Sequence, residues 1–266
     1  MTKIGIIGAG NMGGAVLAGL VAAGYEPSEI FVGTRRSEHA DALREQFGVI
    51  AASNEEVTAN AEVLILGVKP YDIVNVLQSV QSSLHEGQLV ISLAAGITTA
   101  TLAGNVPAGV EVARAMPNTP ATLRQGMTLI SGGVGTSEAK LALAEEILSA
   151  IGKVVRLPEE LINAGTAISG SGPAYLFYIA EALIAAGVEL GLTQEVAAKL
   201  VTQTLVGSSL LLEQGEAPEE LRRKVTSPNG TTAAAVAVFD ARELKDIVLE
   251  GARANVRRSQ EIAAQS

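Results

Sequence analysis

The sequence predicts an α/β fold. A doubly wound, mostly parallel sheet occupies the N-terminal part, and an all-α C-terminal domain follows it. Three observations predict this. From residue 3 to about 157, strand-like apolar runs alternate with helical stretches, the pattern of consecutive βαβ units. A glycine-rich turn joins the first run directly to the first helix. After Leu157-Pro158 the alternation stops, and the rest reads as helices rich in Ala, Leu, Val and Glu. The boundary is expected near residue 160, giving domains 1–160 and 161–266. No repeat, low-complexity tract or long linker is evident in either part.

Element by element, strands are expected at Ile4–Ile7, Ile30–Gly33, Val63–Leu66, Leu89–Ser92, Val110–Ala115, Met127–Ser131 and Lys153–Arg156. Helices are expected at Asn11–Ala23, Ser37–Phe47, Tyr71–Ser83 and Ser137–Ile151. Between the first strand and the first helix stands Gly8-Ala9-Gly10-Asn11-Met12-Gly13. Gly8, Gly10 and Gly13 fill the three glycine positions of a Rossmann-type dinucleotide fingerprint. The first allows the tight turn, the second admits a diphosphate close to the backbone, and the third lets helix and strand pack closely. A diphosphate there meets the free N–H groups and positive dipole end of the helix that starts near Asn11. In the helical part, breaks fall at Gly170-Ser171-Gly172-Pro173, Gly191-Leu192-Thr193, Gly215-Glu216-Ala217-Pro218 and Ser227-Pro228-Asn229-Gly230. Thr193 and Pro218 look like ordinary helix starts.

Composition narrows the function. Hydrophobic residues make up 48% and charged residues 18% of the 266 residues, enough for a sizeable core and against extensive disorder. Aromatics are 3% with no Trp, so the core is built from Ala, Val, Leu and Ile. A formal charge of −9 argues against nucleic acid and anionic membranes as partners, because both select basic surfaces. With no Cys there is no disulfide, thiolate nucleophile or thiolate metal site. His39 and His85 offer no ligand spacing, no metal site and no triad; His39 is expected on an exposed helix and His85 in a loop, both solvated. No leader segment is apparent before the first strand, and the apolar run from Ala174 to Leu192 carries Glu181 and Glu189. It reads as a buried or interface helix instead of a membrane span, and a cytoplasmic location is expected.

The end of the second strand bears on the cofactor. A carboxylate usually stands there to accept the adenosine ribose hydroxyls. This chain has Val32-Gly33-Thr34-Arg35-Arg36-Ser37 instead. Guanidinium forks suit a phosphate dianion, which a carboxylate would repel. The expected cofactor is therefore NADPH, with NADH a weaker alternative; a plain solvated loop is the competing reading of the two arginines. Two other strand ends are unusual. In Leu66-Gly67-Val68-Lys69-Pro70, the proline holds Lys69 out of helical geometry. In Ala115-Met116-Pro117-Asn118-Thr119-Pro120, two prolines stiffen a loop that carries polar groups, and a simple turn explains it equally well. In the helical part, Ser227-Pro228-Asn229-Gly230-Thr231-Thr232 opens a helix. Its free N–H groups suit a carboxylate, and ordinary N-capping by the hydroxyls is the alternative.

Taken with Ser169-Gly170-Ser171-Gly172-Pro173-Ala174-Tyr175, these motifs occur in an order that resembles the pyrroline-5-carboxylate reductase family from end to end. Where family members commonly carry a second glycine, this chain has Asn229, which also tolerates positive φ. The resemblance implies a dinucleotide-binding domain and a helical domain that interlocks with a second copy, with dimers often assembled into rings. It implies that Gly8, Gly10, Asn11, Met12 and Gly13 hold the diphosphate. Thr34, Arg35, Arg36 and Asn54 would lie at the adenosine end, and Val68, Lys69, Pro70, Pro117 and Asn118 at the nicotinamide end. Ser227, Gly230, Thr231 and Thr232 would bind the substrate carboxylate, and the Thr232 hydroxyl would contact the ring nitrogen as the catalytic contact.

The implied reaction is hydride transfer to the C=N bond of 1-pyrroline-5-carboxylate, giving L-proline. A protonated imine needs no strong protein acid, in keeping with the absence of a well-placed His or Cys. Two rivals are weighed. A β-hydroxyacid dehydrogenase needs a lysine on the first long helix of the second domain, and residues 165–186 contain none. A non-catalytic NADP-binding sensor would have no use for the cradle at Ser227–Thr232.

Overall fold

The structure, a computed structural model, describes residues 2–263. The chain forms two compact units that divide between Ser171 and Gly172 and again between Ala254 and Asn255, so the end of the last helix belongs with the N-terminal unit. The compact units thus part about three helical turns beyond the boundary expected near residue 160.

The N-terminal unit holds one eight-stranded sheet in the order β3-β2-β1-β4-β5-β6-β7-β8. The strands are β1 (Ile4–Ile7), β2 (Ile30–Gly33), β3 (Ile50–Ala51), β4 (Val63–Leu66), β5 (Leu89–Ser92), β6 (Glu111–Met116), β7 (Gly126–Gly132) and β8 (Gly152–Arg156). The helices are α1 (Asn11–Ala22), α2 (Ser37–Phe47), α3 (Asn54–Asn60), α4 (Ile73–Val80), α5 (Thr99–Ala103), α6 (Glu138–Leu148) and α7 (Ile162–Gly165). Every residue of β1, β2, β4 and β5 is buried, the mark of parallel strands covered on both faces. Alternate residues feed separate cores. Ile4, Ile6, Val63 and Ile65 pack with α1 and α6 through Val16, Leu20 and Ile147. Ile7, Leu64 and Leu66 pack with α4 and α5 through Leu77 and Leu102.

β1 pairs with both β2 and β4, so the chain reverses its direction of travel across the sheet at that strand. The crevice beyond such a switch point is where open α/β sheets bind ligands. Register places the strand ends level: Ile7 stands opposite Gly33 on one side and Leu66 on the other. The first residues past the sheet are therefore Gly8, Thr34 and Gly67.

β7 runs antiparallel to β6. Residues 117–125 join the two, too few for the crossover of a dozen or more residues that a parallel neighbour demands. α6 then supplies a crossover, and β8 lies parallel to β7. Arg114 on β6 is 4% exposed. Burial pulls its pKa below the ordinary value, against the opposing pull of Glu159 3.8 Å away. Its other amino group donates to Asn163 Oδ1 at 3.4 Å, and Ser259 Oγ donates to the same oxygen at 3.1 Å. These bonds, with Asn255 Nδ2 to Ser171 Oγ at 2.8 Å, explain why the last residues join this unit.

The second unit is helical: α8 (Gly172–Glu189), α9 (Gln194–Glu213), α10 (Pro218–Lys224), α11 (Thr231–Ala241) and most of α12 (Leu244–Ala263). Thr193 caps α9 through Val196 N, as expected, and Pro218 stands in the first turn of α10. α8 and α9 meet where Gly187 faces Ala197. Ala197 is the one apolar residue of this unit that is buried among the described residues, whereas Phe177 is 63% and Leu210 58% exposed. The continuous helical stretch 159–189 has the length and composition to cross a membrane; its most apolar 18 residues have a mean hydropathy of 1.3 and none of them is buried, while Ile162 and Ala167 within the stretch are. Of the two readings of the 174–192 run, a buried or an interface helix, burial within the chain is corrected: the run meets α9 at Gly187 and is otherwise mostly exposed.

Candidate active site

The turn after β1 follows from steric limits. Gly8 has φ +89°, and a β-carbon there would meet the Val68 amide nitrogen at 2.8 Å, so the turn excludes a side chain on both counts. A β-carbon on Gly13 would strike the Gly8 carbonyl oxygen. The strand-to-helix approach thus depends on glycine at residue 13. Gly10 differs: a β-carbon there would meet nothing within 4 Å. Its missing side chain leaves open space beside the backbone, which is the room a diphosphate requires. Gly10 is also the N-cap of α1 and brings no side-chain cap, so the first-turn N–H groups remain available to an anion.

A cleft of about 720 Å³ lies beyond these strand ends. The loop after β1 lines it with Gly8, Ala9 and Gly10; the loop after β2 with Thr34, Arg35 and Arg36; and the loop after β4 with Gly67, Val68 and Lys69. Asn54, the first residue of α3, joins them. Its position is set by Ser53, whose hydroxyl accepts from Glu56 N at 3.2 Å while the Glu56 carboxylate accepts from Ser53 N at 3.0 Å. This reciprocal cap fixes the start of α3. Gly33, lacking a β-carbon, makes room for the Asn54 side-chain oxygen. The cleft thus collects most residues expected at the adenosine and diphosphate ends.

The other expected cofactor contacts lie around the cleft without lining it. Asn11 and Met12 open α1, Met12 packing partly on the core. Pro70 begins the turn after Lys69, which has the extended geometry that a following proline enforces (φ −67°, ψ 150°). Pro117 and Asn118 follow β6 and are buried. The Asn118 side chain is engaged at both polar atoms: Nδ2 donates to the Ser169 carbonyl at 2.9 Å, and Oδ1 accepts from Met127 N at 2.9 Å. The Ser169 carbonyl needs that donor, because its usual helical partner four residues on is Pro173, which has no N–H. The chain there passes through a π-helical turn, Thr166–Gly170.

Asp72 and His39, with Tyr71, Asn75, Val76 and Ser79, are among the cleft residues that were not anticipated. Asp72 binds Arg35 across the cleft mouth at 3.0 Å, with Arg35 84% exposed; an exposed pair of this kind contributes about 0–1 kcal/mol. It leaves Arg36 as the guanidinium without a partner among the described residues of the loop. His39, expected on a solvated face, is half-buried and lies against the Ala9 carbonyl at 2.8 Å.

In the helical unit, the Gly230 N–H donates to the Ser227 carbonyl at 3.0 Å, closing a turn over Pro228 and Asn229. Asn229 has φ +59°, a conformation that glycine or asparagine adopts readily. Gly230 is the N-cap of α11, and no side-chain bond caps it. The choice left open by the sequence therefore falls against ordinary hydroxyl capping, and the N–H groups of Thr231 and Thr232 are left for another acceptor.

The sheet order and the cleft define a dinucleotide-dependent oxidoreductase. The NADP oxidoreductase, coenzyme F420-dependent, family matches residues 3–96, and the pyrroline-5-carboxylate reductase dimerisation family matches residues 159–262. The chain is 42% identical to the pyrroline-5-carboxylate reductase of Synechocystis, over 98% of either chain. It is 40% identical to that of Pseudomonas aeruginosa, over 99% of this chain and 97% of that one. A solved pyrroline-5-carboxylate reductase from Coxiella burnetii superposes with a TM-score of 0.94 at 38% identity, over 98% of both chains. One from Plasmodium falciparum with NADP bound superposes with a TM-score of 0.85 at 26% identity, again over 98% of both. The chain belongs to the pyrroline-5-carboxylate reductase family, and it self-associates through its helical region.

Proposed function

We propose that the protein reduces the C=N bond of 1-pyrroline-5-carboxylate to give L-proline with NADPH as reductant, in the cytoplasm. The family relationship along the whole chain carries this reading. The space at Gly10 and the absence of a carboxylate after β2 support the cofactor. Residues 1–160 act as the dinucleotide-binding domain and residues 161–266 as the dimerisation and substrate-binding domain. The apolar helix within 159–189 and the exposed face of α9 then pack on a second copy instead of entering lipid, and dimers can build a larger ring. Neither nucleic acid nor a membrane is a partner.

When bound, NADPH supplies the hydride. The chain's own residues position the substrate. The uncapped N–H groups of Thr231 and Thr232 hold its carboxylate, helped by the positive end of α11 and by the turn at Ser227 and Gly230. The Thr232 hydroxyl orients the ring nitrogen. Val68, Lys69 and Pro70, with Pro117 and Asn118, form the nicotinamide end; Asn118 contributes through the backbone it fixes, since both of its polar atoms already bond within the chain. Positioning alone can supply several kcal/mol of the barrier. The decisive assay is the initial rate of NADPH oxidation with pyrroline-5-carboxylate, with NADH in parallel. Turnover that favours NADPH supports both reaction and cofactor. Turnover that favours NADH removes the role given to Arg35 and Arg36, and tight NADPH binding without turnover favours a sensor. Thr232→Ala is expected to lower kcat/KM by roughly tenfold to a thousandfold; an unchanged value takes Thr232 out of the mechanism.

A further inference from the structure

Three features place His39 in an unusual position. It sits in the first turn of α2, directly after the Thr34–Arg36 loop, and it lines the cleft. Its Nε2 lies 2.8 Å from the carbonyl of Ala9, inside the glycine-rich turn and 30 residues earlier in the chain. A carbonyl only accepts, so the ring carries its proton at Nε2 and donates. The carbonyl it holds belongs to the residue before the N-cap of α1, at the point where the chain must present N–H groups to an anion and keep lone pairs away from it.

We propose that His39 is a positioning residue for the dinucleotide: its Nε2–H secures the Ala9 carbonyl so that the glycine-rich turn presents N–H groups, and not carbonyl oxygens, to the diphosphate. It also fastens this turn to the loop beside it, so the two anion-binding segments keep one spacing. The effect falls on the diphosphate, which NADPH and NADH share. Arg36, by contrast, is placed to distinguish the two. The inference rests on the dinucleotide occupying this cleft.

Steady-state kinetics and equilibrium cofactor binding on the full-length enzyme test it, using His39→Leu, His39→Gln and Gly10→Val. His39→Leu should raise KM and Kd about three- to tenfold, the worth of one net hydrogen bond. The rise should be equal for NADPH and NADH, while kcat and the KM for the imine stay within about twofold. His39→Gln, whose amide can donate from a similar reach, should recover most of the loss. A loss confined to NADPH, no loss, no recovery by glutamine, or a parallel fall in kcat would each overturn the role. Gly10→Val puts a side chain into the open space and should abolish cofactor binding. If it binds NADPH normally, the dinucleotide lies elsewhere, and the seat itself is wrong.

Discussion

The two units of the chain use the same kinds of residue to opposite ends. In the N-terminal unit, Ile6, Leu17, Ile65 and Leu89 are completely buried, and two continuous cores flank the sheet. In the helical unit, Leu200 is 54%, Leu210 58% and Phe239 50% exposed, on helices just as apolar. Apolar patches on this scale mark association surfaces. The difference teaches that the sheet unit satisfies its hydrophobic residues within one chain, while the helical unit gains its burial from another copy.

Substitutions can break that contrast or sharpen it. The largest effect is expected from Leu210→Glu on α9. A charge buried at an interface core should weaken association by at least about a hundredfold, giving monomers in sedimentation at concentrations where the parent is oligomeric. An unchanged oligomer would mean that α9 faces solvent and the contrast is misplaced. Next is Ile65→Ala, which opens a cavity in the sheet core. It should cost about 2–5 kcal/mol of stability in denaturant unfolding, with the oligomeric state retained. If it instead dissociates the oligomer, the two units are not independent in this respect.

The smallest effect lies at the start of α3. The backbone N–H of Ser53, and then its hydroxyl, hold the exposed Glu56 carboxyl below its ordinary value of 4.5. A lowered folded value means stabilisation that is fully present above the ordinary value and fades as pH falls through the folded one. The stability difference between wild type and Glu56→Gln should therefore be greatest near neutrality and vanish in acid. A difference independent of pH would show that the cap does not depend on charge.

Much of this architecture was legible in the sequence, for identifiable reasons. β1, β2, β4 and β5 begin and end where their apolar runs do, because each is a short strand buried throughout. β3 is two residues at the sheet edge, half-exposed or exposed, and so short a strand leaves no pattern to detect. The reversal of β7 was available in the length of its connection. Ser53-Asn54-Glu55-Glu56 carries the pattern of a capping box in the sequence itself. His39 was a different case. The atom that gives it meaning is a backbone carbonyl, and no side-chain pattern in a sequence records where a carbonyl points. Arg35 was recognisable as a cleft residue, but its engagement with Asp72 depends on two loops meeting in space.

Asn118 carries a consequence for observing the molecule at work. The Met127 amide is protected by the Asn118 side chain. Its exchange with solvent deuterium therefore depends on a single rotamer, as well as on fraying of the sheet. That same rotamer occupies the Ser169 carbonyl, the acceptor that Pro173 cannot serve. One slowly exchanging proton on β7 is thus a built-in reporter of whether the π-helical turn is locked, and it can be followed without altering any residue of the protein.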